Sequence, residues 1–199
     1  TLFNRLTGAG IGVFLLMWRG QLRAAFMHRR IREKPPSGGV SVAREAIPLR
    51  PDLVERSARL LTGLEWSGVA MIEFKEDHPG GTPQMLEING RFWGSLQLAI
   101  DAGVDFPLLL AGMAMGDGRV DPPAYRTGTR LRWEWGEVDH CLAQIRRPSD
   151  QREVDGRMAT AVKAIGDLLF WQRGDRAEML RLDDPRPFLL ETLNWFRGR

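Results

Sequence analysis

Two apolar runs flank a short glycine-containing turn near the start of the chain: Gly12–Trp18, then Arg19-Gly20, then Gln21–His28. Strand-length apolar runs on either side of such a turn predict a β-hairpin. The dense charge run Arg29-Arg30-Ile31-Arg32-Glu33-Lys34 follows it. Pro35-Pro36-Ser37-Gly38-Gly39 then breaks regular structure, because proline removes a backbone donor and glycine leaves the chain unconstrained. A short strand is expected over Val40–Ile47, and Pro48–Asp52 turns into a helix. There Leu53, Val54, Ala58, Leu60, Leu61 and Leu64 recur at helical spacing, with Gly63 or Gly68 available to end it.

Val69–Lys75 and Gln84–Asn89 read as two further strands. The loop Glu76–Pro83 between them is rich in turn residues and predicts an antiparallel pair. Helices are expected over Leu96–Ala102 and Phe106–Met115, separated by Gly103 and capped by Asp105 and Gly116. The glycine- and proline-containing stretch Asp117–Tyr125 marks a composition shift, which divides the chain into residues 1–118 and an extension over 119–199. The extension carries a predicted strand, Thr129–Trp135, and helices near Arg157–Trp171 and Phe188–Phe196. No internal repeat is visible. The fold class read from this pattern is α+β, built around an antiparallel sheet with a smaller mixed appendage.

Composition narrows the function. The longest apolar runs, Gly12–Trp18 and Phe106–Met115, fall short of the ~20 residues that span a bilayer, so no membrane partner is expected. The single cysteine, Cys141, excludes an internal disulfide and a multi-cysteine metal site, and cytoplasmic residence is the natural expectation. The net charge of +3 comes from 28 basic residues against 25 acidic ones. A mixed solvated surface accounts for that balance as well as a polyanion partner does, and nucleic acid is not expected.

The informative chemistry lies in Met71-Ile72-Glu73-Phe74 and Met85-Leu86-Glu87-Ile88-Asn89. Strand side chains alternate faces. Ala70, Ile72 and Phe74 therefore share one face, with Met71 and Glu73 on the other. Leu86 and Ile88 likewise form an apolar core face opposite Met85, Glu87 and Asn89. If the strands pair, Glu73 and Glu87 converge on one surface. Two adjacent carboxylates disfavour joint ionisation, and a divalent cation removes that cost. Mg²⁺ takes one or two carboxylates and completes its octahedron with waters and phosphate oxygens. Asn89 adds a neutral amide oxygen, and the guanidinium of Arg91 suits a phosphate. The set matches phosphoryl transfer, where positioning and charge neutralisation do most of the catalysis. A lone glutamate on an amphipathic strand is ordinarily only solvated; the combination separates this case.

Leu86-Glu87-Ile88-Asn89-Gly90-Arg91-Phe92-Trp93-Gly94-Ser95 resembles the metal-binding strand and exit turn of the ATP-grasp superfamily, particularly its carboxylate–amine ligase and carbamoyl-phosphate-synthase-like branch. Gly68–Phe74 resembles the preceding metal-binding strand of that family, and Ala102-Gly103-Val104-Asp105-Phe106-Pro107 the segment that follows. The order agrees over Gly8 to Gly116. The resemblance implies the C-terminal lobe of an ATP-grasp fold. Glu73, Glu87 and Asn89 would bind one or two Mg²⁺ ions (or Mn²⁺) bridging the phosphates of ATP, and Arg91 would contact a phosphate or acyl phosphate. Ser37, Gly38 and Gly39 resemble the family's small-residue turn near the acceptor site. His28, Arg29, Arg30 and Arg32 would present positive charge to phosphate or a carboxylate.

The implied activity is phosphorylation of a carboxylate by Mg-ATP, followed by capture of the acyl phosphate by an amine or similar nucleophile. The alternative is a non-catalytic nucleotide-binding or interaction module derived from that fold. By the same resemblance a first lobe with a strand-borne lysine is missing, since the three lysines are Lys34, Lys75 and Lys163. The chain is therefore expected to need a further lobe or partner chain. Near Gly10–Gly12, where some relatives carry an acidic ribose ligand, stand glycines and isoleucine. Asp183-Asp184-Pro185 reads as a turn or helix cap rather than a second metal site, and the tryptophans as core residues.

Overall fold

The computed structural model describes residues 8–36, 38–78, 80–116, 124–146 and 156–198. In chain order they form β1 (Gly10–Trp18), β2 (Gln21–Lys34), β3 (Val40–Ala46), α1 (Pro51–Gly63), β4 (Gly68–Glu76), β5 (Pro83–Asn89), α2 (Leu96–Ala102), α3 (Phe106–Ala114), β6 (Arg130–Arg132), α4 (Glu134–Arg146), α5 (Gly156–Leu169), β7 (Asp175–Ala177) and α6 (Arg186–Phe196). Two compact units result, residues 1–30 with 45–129 and residues 31–44 with 130–199. Among the described residues no single helix is long and apolar enough to cross a membrane.

In the first unit the strand order is β5-β4-β1-β2, antiparallel throughout. The expected hairpin is present. Arg19 and Gly20 both hold positive φ, 50° and 75°, as a two-residue turn matched to strand twist requires. One face of the sheet buries Ile11, Val13, Leu15, Met27, Ala70, Ile72 and Phe74 against Leu53 and Leu61 of α1. The helix is punctuated as the sequence predicts, with Pro51 in its first turn and its end at Gly63. A second cluster joins Phe14 to Trp93 (4.3 Å between ring centroids) and Trp93 to Phe106 (5.1 Å), anchoring the segment after β5. Gly103, at φ 116°, ends α2, and the Asp105 side chain accepts the Leu108 amide at the start of α3.

Four local expectations are corrected. The charge run continues β2 to Lys34 instead of following it. In β5, Leu86 and Ile88 are exposed rather than core. Glu87 pairs with Glu73 but Met85 pairs with Phe74, so the register shifts between them and the strict alternation through Met85, Glu87 and Asn89 fails. The strand expected over Thr129–Trp135 ends at Arg132, and Glu134 begins α4.

The second unit contains the end of β2, β3, β6 and β7, with β6 and β7 parallel. Gly136 inside α4 has a steric reason. A Cβ there would lie 2.3 Å from Trp133 Cε3 and 2.9 Å from Val42 Cγ1. Trp135 stacks on Trp195 at 4.4 Å, so these tryptophans are packing groups. Arg132, itself buried, donates to Glu137 and to the carbonyls of Asp167, Leu168 and Phe170 at the end of α5. Cations suit the unpaired carbonyls of a helix C-terminus.

Candidate functional site

The candidate site forms where β4 meets the edge strand β5. Glu73 and Glu87 are direct cross-strand partners, with Met71 opposite Asn89 one pair beyond Ile72 and Ile88. Glu73 is 8% exposed, whereas Glu87 is open to solvent. Asn89 Nδ2 donates to Glu87 Oε1 at 2.7 Å, which commits the amide nitrogen and leaves the amide oxygen as a ligand atom. The structure thus brings together Glu73, Glu87 and Asn89, and adds a fourth residue. Arg30 Nη2 lies 2.6 Å from Glu73 Oε2.

The sequence builds this corner with glycines. Gly12 stands opposite Glu73 on one side and His28 on the other. A Cβ on it would approach His28 to 2.6 Å, and a Cβ on Gly10 would come within 2.9 Å of Arg30 Cδ. The absent side chain at Gly10 leaves Arg30 room over β1 on its way to Glu73, while the one at Gly12 makes room for the rings of Phe14 and His28. Gly90 ends β5 against the ring of Trp66, where a Cβ would sit 2.6 Å from Cη2. Arg91 follows, exposed, with Nη1 donating to its neighbour's carbonyl, Phe92 O, at 3.0 Å.

The other candidates lie elsewhere. Arg29 is ion-paired with Glu45 at 2.6 Å. Arg32, in the second unit, makes two bonds of 2.7 and 2.8 Å to Glu137. His28 is buried, edge-on to Phe14 at 4.7 Å. Ser37 lies outside the described residues. Gly38 takes φ 122° and donates to Pro35 O, and Gly39 packs so that a Cβ would meet Lys34 O at 2.4 Å. Asp184 Oδ1 accepts the Arg186 amide at 3.3 Å, as a residue opening α6 should. A cavity of about 370 Å³ in the second unit is lined by Arg32, Arg44, Arg130 and Arg132, whose guanidinium groups bond to Glu137, Glu178, Gln172 and helix carbonyls.

Among the described residues no three His, Cys, Asp or Glu side chains gather as a metal cage. Two carboxylates and an amide oxygen are nonetheless a donor set that fits Mg²⁺, which retains waters and shares substrate phosphates instead of filling its shell from protein.

No curated protein matches the chain. Among solved structures it is similar to a Rhizobium etli pyruvate carboxylase (17% identity, TM-score 0.48, 61% of this chain and 13% of that one). It is also similar to the biotin carboxylase domain of a Hydrogenobacter thermophilus 2-oxoglutarate carboxylase, solved with MgADP and bicarbonate (16%, 0.47, 61% and 28%). A third is the L-amino acid ligase of Bacillus licheniformis (18%, 0.46, 59% and 34%). The chain therefore spans about a third or less of each of these proteins. Membership is shown instead by a family model that matches residues 1–137, well over half of the sequence. The chain belongs to that family, described as ATP-grasp in the biosynthetic pathway with Ter operon.

Proposed function

We propose that this chain is the metal- and phosphate-binding part of an ATP-dependent ligase that joins a carboxylate to an amine or similar nucleophile. The observation that carries the reading is the cross-strand pairing of Glu73 with Glu87 beside Asn89. These three residues would hold Mg²⁺, which supplies charge neutralisation to the phosphates of ATP. Arg91, at the exit of β5, would bind a phosphate oxygen with its fork of donors. In the reaction a substrate carboxylate oxygen attacks the γ-phosphorus and ADP leaves. The nucleophile then attacks the acyl carbon, inorganic phosphate departs, and a proton is lost from the amine. Conversion to the acyl phosphate is needed because an unactivated carboxylate has a poor leaving group.

Residues already fixed where charge develops stabilise the transition state without reorganising at the moment of reaction. Here the rigid frame comes from β4, whose other face is locked into the α1 core, and from the Trp93 anchor. A further lobe or partner chain would close over the nucleotide and supply the acceptor pocket. The second reading, a nucleotide-binding module without turnover, is supported by two of the three lysines being held in ion pairs, Lys34 with Asp139 and Lys163 with Asp167.

Calorimetric titration with Mg-ATP tests the proposal on the wild type and on Glu87→Gln. Binding that requires Mg²⁺ and is weakened at least tenfold by the substitution is expected. Equal binding by both folded proteins overturns the site. ADP release with a panel of amino acids and carboxylates then separates the ligase from the module, which binds nucleotide and releases none.

A further inference from the structure

We propose that Arg30 is the resting counter-ion of Glu73 and couples the binding of a divalent cation to the binding of phosphate. The inference rests on the reading of Glu73 as a cation ligand and concerns how that site is loaded.

The Arg30–Glu73 contact is a charge-assisted bond of 2.6 Å between side chains only 15% and 11% exposed. Bonds of this kind are stronger than neutral ones, and little water reaches this one to screen it. Glu73 faces a second carboxylate, Glu87, directly across the ladder. Like charges in that position destabilise a sheet. The guanidinium offsets the repulsion, and the bare glycine surface at Gly10 gives its stem a path across β1.

The same contact places Arg30 in competition with any cation that uses Glu73 Oε2. A cation arriving alone must share the carboxylate with a positive guanidinium or break that ion pair to displace it. A cation arriving with phosphate brings the anion with it. The guanidinium then exchanges a carboxylate for phosphate oxygens, the two groups its fork recognises best. The site is thereby biased against free cation and toward cation accompanied by phosphate. Removing Arg30 frees Glu73 for a lone cation and takes away a phosphate partner, and the coupling lost between the two ligands is the same whichever binds first.

The test titrates Mn²⁺ against the wild type, Arg30→Gln, Arg30→Lys, Glu73→Gln and Glu87→Gln, following free Mn²⁺ by electron paramagnetic resonance, first without nucleotide and then with ADP. Thermal melts accompany each variant. Arg30→Gln is expected to bind Mn²⁺ alone at least tenfold more tightly than wild type. The same variant should bind ADP at saturating Mn²⁺ at least tenfold more weakly, and Arg30→Lys should fall between. If the two glutamate variants lose Mn²⁺ but Arg30→Gln leaves both affinities unchanged, the coupling is overturned and the metal site stands. If Arg30→Gln tightens Mn²⁺ without weakening ADP, the hand-over to phosphate is overturned. If Mn²⁺ binds neither wild type nor Arg30→Gln, or binds both glutamate variants undiminished, the site assignment fails and the inference with it. Should Arg30→Gln not fold, Arg30→Lys decides: unchanged affinities for Mn²⁺ and ADP overturn the coupling.

Discussion

Replacing Glu87 by Gln is expected to raise the stability of the ligand-free protein while removing its response to Mg-ATP. The two carboxylates are paired residue to residue across β4 and β5, one buried and one exposed. Unit charges ~6 Å apart repel by ~0.7 kcal/mol in bulk water and ~2.8 kcal/mol at an effective dielectric of ~20. Exposure of Glu87 pulls the value toward the lower figure, and Arg30 on Glu73 offsets more of it. Cross-strand pairs contribute about 0.2–1 kcal/mol. Glutamine keeps an acceptor oxygen for the 2.7 Å bond from Asn89, so no hydrogen bond need be lost. The net expectation is a gain of roughly 0.5–1 kcal/mol, a rise in Tm of about 1–4 °C for a chain of this size. Scanning calorimetry in EDTA reads this directly. Repeated at a Mg-ATP concentration of ~100 Kd, the wild type should gain ~2.7 kcal/mol, while Glu87→Gln gains far less and the order of the two melts reverses. A variant that melts below wild type in EDTA would refute the repulsion argument, because it would show Glu87 stabilising the empty site.

Four further outcomes follow from the described residues. Glu137→Gln removes the buried negative charge shared by Arg32 and Arg132 and turns one of its two acceptor oxygens into a donor, and should cost about 3–5 kcal/mol in urea unfolding; Lys163→Ala, which removes an exposed i,i+4 pair, should cost less than about 1 kcal/mol. Burial pushes the phenol of Tyr125, the chain's single tyrosine, up to about 12 from an ordinary 10, and its hydroxyl donates to Ile47 O. The associated stability is fully present below pH ~10 and is lost as pH rises through about 12, so phenolate absorbance should titrate near 12 in the folded protein and shift down on denaturation. Burial first, and then the carboxylates of Glu137 and Asp167, raise the thiol of Cys141. This single cysteine should react with a thiol reagent at mildly alkaline pH far more slowly when folded than in denaturant; equal rates would contradict its burial.

Much of the first unit was legible because its punctuation is local. The Arg19-Gly20 turn, Pro51 and Gly63 around α1, and Asp105 before α3 each act within a few residues of their own position. The pairing of Glu73 with Glu87 followed from alternation and one turn-rich loop. The exposure of Leu86 and Ile88 did not, since an apolar residue at an edge strand reads the same whether or not a layer covers it. The start of α4 was hidden by Trp133-Glu134-Trp135, which mimics a period-two strand, and by Gly136, a poor helix former kept there by contact with Trp133. The ion pairs of Arg29 with Glu45 and Arg32 with Glu137 join residues 16 and 105 apart in sequence. No local pattern reports such partners. Arg30 had a usable signal: had the hairpin strand been continued through the charge run, parity would have set Arg30 on the side of His28 and away from Arg29.

The central claim is that Glu73, Glu87 and Asn89 form one cation site. Anomalous diffraction from crystals grown with Mn²⁺ and ADP tests it most directly. A peak is expected between the two carboxylates, at coordinating distances of about 2.0–2.3 Å, with Arg30 turned from Glu73 toward phosphate. A bound nucleotide whose Mn²⁺ peak lies away from Glu73 and Glu87, with the Arg30–Glu73 pair intact, would contradict it.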